Sequence, residues 1–149
     1  MTKNILRRPQ ILKINDHIWL LNDNNEATGY VVAGTKKAMV IDTMLGMVNV
    51  REEAERLTPL PLICVNTHGH IDHIGGNWSF DCAYMNLQDK PVAEQMLLIP
   101  EMQKAILTYG LTFPEFRHIA DGDEFDLGGI KLEAHYLPGH TPGEIVLLN

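Results

Sequence analysis

The run Thr67-His68-Gly69-His70-Ile71-Asp72-His73 sets three imidazoles and one carboxylate within six residues, directly after the apolar stretch Leu62 to Val65. This is the layout of a metal site at a strand end, and it favours folds in which separate loops converge on one point. An imidazole nitrogen suits zinc, iron or copper, and a neighbouring carboxylate offers oxygen to the same ion or to the next one. Extended backbone after the strand points His68 and His70 the same way, because side chains alternate with period two. A turn after them can bring Asp72 and His73 to the same pocket. The plain alternative is a polar loop following a strand.

With 149 residues and 45% hydrophobic content, the chain has the length of one globular domain, residues 1–149, and enough apolar material for a core. Its formal charge of -7, with no basic cluster longer than Arg7-Arg8 or Lys36-Lys37, excludes nucleic acid and anionic membrane surfaces as expected partners. Cys64 and Cys82 form no C-x-x-C pair and read as buried free thiols, which fits a reducing cytoplasm. Met1 to Pro9 carries basic residues with no apolar region behind them, and no run approaches a membrane span, so a cytoplasmic location is expected.

Short strands are expected at Asp16 to Leu21, Thr28 to Ala33 and Ala38 to Asp42, joined by the polar turns Asn22 to Glu26 and Gly34 to Lys37. A Glu- and Arg-rich helix over Val48 to Leu57 is stopped by Thr58-Pro59, and a buried strand follows over Leu62 to Thr67. Ala83 to Leu87 reads as another strand, and Pro91 to Leu98 and Pro100 to Tyr109 as helices that begin on proline and could wall a substrate site. Phe125 to Leu127 and Ile130 to Leu137 flank Gly128-Gly129 as a two-residue hairpin, and Ile145 to Leu148 is strand-like. The interleaving gives an α/β (α+β) class with more hairpins than parallel crossovers.

His140, between Pro138-Gly139 and Thr141-Pro142-Gly143, also follows a strand and can approach the first histidines from a second loop. The pair of motifs T-H-G-H-I-D-H-I-G-G-N and L-P-G-H-T-P-G, with Val40-Ile41-Asp42-Thr43 upstream, resembles the metallo-β-lactamase superfamily of metal-dependent hydrolases, from about Ile14 to the last residue. The resemblance implies an αββα sandwich in which His68, His70 and His140 hold one zinc, while Asp72 and His73 belong to a second metal. Three protein nitrogens leave a position for water, which ionises near neutral pH and attacks as a metal-bound hydroxide. Asp72 is the candidate catalytic residue, orienting that water or relaying a proton. Asp42 is a candidate partner for a ligating imidazole, or else a residue capping a turn. His17, His118 and His135 lie apart from these donors.

Full-length family members carry a bridging aspartate and a last histidine beyond the third motif, and this chain ends before them. The expected fold is therefore truncated in its second half, and one zinc is favoured over two, with iron or manganese as other occupants. An open face of ~600 Å² would forgo ~15 kcal/mol at about 25 cal/mol per Å², which points to a homodimer or to a missing C-terminal segment. The expected function is hydrolysis of a thioester, lactone or related carbonyl in a small-molecule substrate. The alternative is a catalytically poor metal-binding fragment that assembles with another chain.

Overall fold

The side-chain alternation of two central strands sorts the core into two layers. The computed structural model describes residues 7 to 149; residues 1 to 6 of the basic N-terminal stretch lie outside it. Strands β1 (Gln10–Lys13), β2 (Ile18–Asp23), β3 (Ala27–Ala33), β4 (Ala38–Ile41), β5 (Leu62–Val65), β6 (Ala83–Met85) and β7 (Phe116–His118) stand side by side in that order in one sheet. Strands β8 (Glu124–Asp126), β9 (Lys131–Tyr136) and β10 (Ile145–Leu148) make a second, antiparallel sheet.

Val31 and Val40 point to one face of the larger sheet and pack with Leu21, Cys64 and the helical residues Val50 and Ala54. Their neighbours Val32 and Met39 point to the other face and pack with Val65, Leu127, Leu132, Ala134 and Ile145. Period two therefore places a helix on one side and the second sheet on the other. The result is a layered α/β fold with two sheets face to face, as the sequence implies. Five antiparallel pairings against three parallel ones match the expected excess of hairpins.

Helix α1 (Val50–Leu57) starts where the Asn49 side chain accepts the Glu52 N–H at 3.1 Å, two residues after the expected Val48, because the cap fixes the first turn. Helix α2 (Ile71–Ile74) is a single turn inside the histidine run, and α3 (Lys90–Leu97) and α4 (Pro100–Tyr109) follow the expected proline starts closely. Gly128 and Gly129, both at positive φ (87° and 77°), form the expected tight turn, closed by the Leu127 N–H to Ile130 carbonyl bond of 2.8 Å. The sequence reading lacked β1 and β7. All of β1 is exposed, and neither strand carries a sustained apolar alternation; pairing with a neighbour alone makes them strands.

Strands β4 and β5 run parallel, so their carboxyl ends emerge together and deliver Asp42 and the histidine run to one edge. The Ile145 N–H bonds the Thr67 carbonyl at 2.9 Å, which draws the β9–β10 connection, with His140, to the same edge. Among the described residues no helix is long and apolar enough to cross a membrane.

Candidate metal centre

Asp42 follows β4 in the left-handed region (φ 64°), a conformation that Asp tolerates better than most residues. Its carboxylate accepts the Thr67 N–H and the Thr67 hydroxyl, both at 2.8 Å, and meets His73 Nδ1 at 2.7 Å. Because the single hydroxyl proton of Thr67 goes to Asp42, the 3.0 Å contact between Thr67 Oγ1 and His68 Nδ1 must carry its proton on the imidazole. That choice leaves a lone pair on His68 Nε2. This atom is buried and has no hydrogen-bond partner. Burial, then the nearby His73, holds the His68 imidazole below its usual range and therefore neutral, as a ligand must be.

His70 precedes α2 in extended conformation, and His140 sits exposed between its two turns. His70 Nδ1 lies 3.1 Å from His140 Nε2, and ligand atoms of His68, His70 and His140 all fall within 4.8 Å of one another. Two nitrogens bound to one tetrahedral zinc at 2.0–2.1 Å would be about 3.3 Å apart. The rings meet edge-on, at centroid separations of 5.0, 4.9 and 4.7 Å, so the nitrogens converge without the rings stacking. Spacing, the neutral imidazole and the orphaned nitrogen all fit a cation between the three histidines.

Asp72 and His73 lie beside this group. The His73 ring centroid is 3.9 Å from that of His68, and its Nε2 is 3.3 Å from Asp72 Oδ2, while Nδ1 faces Asp42. Burial opposes charge on His73, but the hydrogen bond and charge of Asp42, aided by Asp72 and Glu144, outweigh it and raise the pKa. The α2 turn is held from below by polar groups: Asn66 Nδ2 donates to the His73 carbonyl at 2.9 Å, and Asn77 bonds both Asn66 and Thr43.

Asp42 meets Nδ1 of His73 and, through Thr67, fixes the His68 tautomer, so it does more than cap a turn. His17 instead faces the Ala33 carbonyl, His118 accepts the Leu87 N–H, and half-exposed His135 lies 3.6 Å from Glu133. Sequence reading missed Asp89, a buried carboxylate that bonds Gly69, Thr141 and Gly143. Its partners are 20 to 54 residues away, and nothing in its local sequence signals burial.

An apolar cleft of about 170 Å³ opens beside the centre, lined by Leu45, Met47, Ile71, Ile99, Met102 and Ala105 with Glu101. Ile71 stands between His70 and Asp72, so one wall of the cleft belongs to the metal turn. A second cavity of about 240 Å³, near Arg51 and Phe80, includes Leu62 at the opposite end of β5 and takes no part in the centre.

The metallo-beta-lactamase superfamily model matches residues 25–148. Acyl-coenzyme A thioesterase MBLAC2 of Homo sapiens is 29% identical over 150 residues, covering 83% of this chain and 54% of its own length. Mitochondrial persulfide dioxygenase ETHE1 of Bos taurus is 32% identical over 112 residues, covering 73% and 37%. The subclass B3 metallo-beta-lactamase BJP-1 of Bradyrhizobium japonicum superposes with a TM-score of 0.69 at 23% identity, over 99% of this chain and 59% of that one. That last likeness is one of fold. The chain spans about half the length of the curated relatives it matches first.

Proposed function

The chain belongs to the metallo-beta-lactamase superfamily, and we propose that it is a zinc-dependent hydrolase of thioesters, with lactones as the next class. The buried, unpartnered Nε2 of His68, converging with His70 and His140, carries this reading. When bound there, a divalent cation supplies Lewis-acid polarisation of the scissile carbonyl and acidifies water. His68 enters this chemistry with its proton fixed on Nδ1 by Thr67 and Asp42, so its other nitrogen is always available. Asp72, with 44% of its side chain exposed, takes a proton from the attacking water and returns it to the leaving thiolate. His73, its Nδ1 on Asp42, orients Asp72 or serves with it as donor for a second ion.

The thioester preference is supported by the similarity to an acyl-coenzyme A thioesterase and by the apolar cleft. A cavity of ~150 Å³ lined by aliphatic and aromatic groups holds benzene, so this one suits an acyl chain of about six carbons. A cytoplasmic location belongs to the same proposal, supported by the free thiols Cys64 and Cys82. So does a homodimer formed through the outer strand β10, where Leu148 is exposed; light scattering that gives a monomer at micromolar concentration counts against it.

The test is turnover of acyl thioesters, lactones and nitrocefin by protein of known metal content, before and after chelation. Thioester cleavage lost on chelation and restored by zinc is expected. Iron or manganese as the purified occupant would overturn the zinc assignment. Stoichiometric metal without turnover of any substrate would favour the second reading, a metal-binding chain of low activity that assembles with another. What favours that reading is the single three-nitrogen group among the described residues.

A further inference from the structure

Asp89 is wholly buried, and among the described residues no lysine or arginine pairs with it. Its Oδ2 accepts the Gly69 N–H at 2.8 Å and the Thr141 hydroxyl at 2.7 Å, and its Oδ1 accepts the Gly143 N–H at 2.6 Å. An uncompensated carboxylate is costly to bury, and three donors aimed at it meet that cost. Gly69 separates His68 from His70, and Thr141 adjoins His140. The carboxylate therefore bonds residues that adjoin each of the three imidazoles.

We infer that Asp89 is a positioning residue that locks the two histidine loops into one register, so that the three nitrogens form one site. This rests on the metal reading above. The strands do not need Asp89 to bring the loops near one another, because the Ile145–Thr67 backbone bond already joins the sheets there. What it adds is the fine placement of residues 138–143, whose approach is close: a Cβ on Gly143 would lie 2.6 Å from the Asp89 nitrogen.

Asparagine has the same shape but one acceptor and one NH2 group. Whichever way its amide turns, the NH2 faces a backbone N–H, that of Gly69 or that of Gly143. Asp89→Asn therefore breaks one loop tie without changing volume, and Thr141→Val removes another while sparing both backbone bonds. The experiment measures zinc affinity by chelator competition and the visible spectrum of the cobalt(II) form, on folded full-chain protein checked by circular dichroism. Partners of ligand-bearing groups are worth 10- to 100-fold in metal affinity. Asp89→Asn is expected to lose about that much and to shift the cobalt bands, with Thr141→Val moving both in the same direction by less.

Wild-type affinity and an unchanged cobalt spectrum in folded Asp89→Asn would overturn the inference. Should that variant fail to fold, Thr141→Val decides alone, and wild-type values there overturn it. Wild-type protein that takes up neither ion would sink the metal reading and this one with it, a result distinct from uptake that is indifferent to Asp89.

Discussion

The two loops that carry the histidines are built in opposite ways. The His68–His73 loop is held by several elements at once: β5 delivers it, α2 folds it back, Asp42 reaches it from the end of β4, and Thr67, Asn66 and Asn77 bond it underneath. The loop of His140 has no helix and leaves its imidazole exposed, and its side-chain ties near that residue are Asp89 and the Tyr136 hydroxyl, which donates to the Pro142 carbonyl at 2.7 Å. Distant carboxylates reach both loops, Asp42 the first and Asp89 each of them; what differs is the number of polar partners, many beneath the first loop and few around the second. A centre made this way has a densely bonded half and a sparsely bonded one.

Removing a ligand from each half should have the largest effect and expose the contrast. His68→Ala and His140→Ala are both expected to bring hydrolysis to background, but only the buried His68 should also lower the melting temperature. Undiminished zinc affinity in His140→Ala would break the two-loop picture. Asp72→Asn, in the first loop, should lower kcat by about 10²- to 10⁴-fold, the range for a lost general acid–base, while the ion held by the three histidines stays bound. Normal kcat in that variant would remove Asp72 from the chemistry.

Asp42→Asn keeps a side chain that tolerates the left-handed backbone but loses the charge facing His73; zinc affinity should fall about 10- to 100-fold. In metal-free protein the same change should bring the His73 titration, followed by NMR, down toward the ordinary histidine value. The sign follows from the raised pKa. Protonated His73 stabilises the folded state below the unfolded value, and that contribution is lost as pH rises through the folded one. A His73 titration that ignores Asp42 would contradict the assigned pairing. The smallest effect is sought in the cleft: Ala105→Trp should cost about 10-fold in kcat/KM for hexanoyl against acetyl thioesters, the low end of what one methylene is worth in an apolar pocket. An unchanged ratio would place the acyl group elsewhere.

Much of this molecule was legible before folding because its signals are local. The apolar runs with Val31–Val32 and Met39–Val40 predict short strands, whose two buried faces the structure then shows, and the Gly128-Gly129 turn needs only its own backbone conformation. Likewise His68, His70 and His73 announce themselves by spacing, and His140 by its bracketing turns. Strands β1 and β7 were hidden because hydrogen bonds to a neighbour, not side-chain pattern, make them strands.

By itself the sequence determined the chemistry on offer: imidazoles and a carboxylate at strand ends, in an order shared with a hydrolase superfamily. Only the tertiary structure decided the partnerships: Asp42 with His73 and Thr67, the lone pair left on His68, and Asp89 between the two loops. The reason is physical. A residue's type and short spacing are properties of the chain, while a buried carboxylate's role depends on which donors the folded backbone, many residues away, turns toward it.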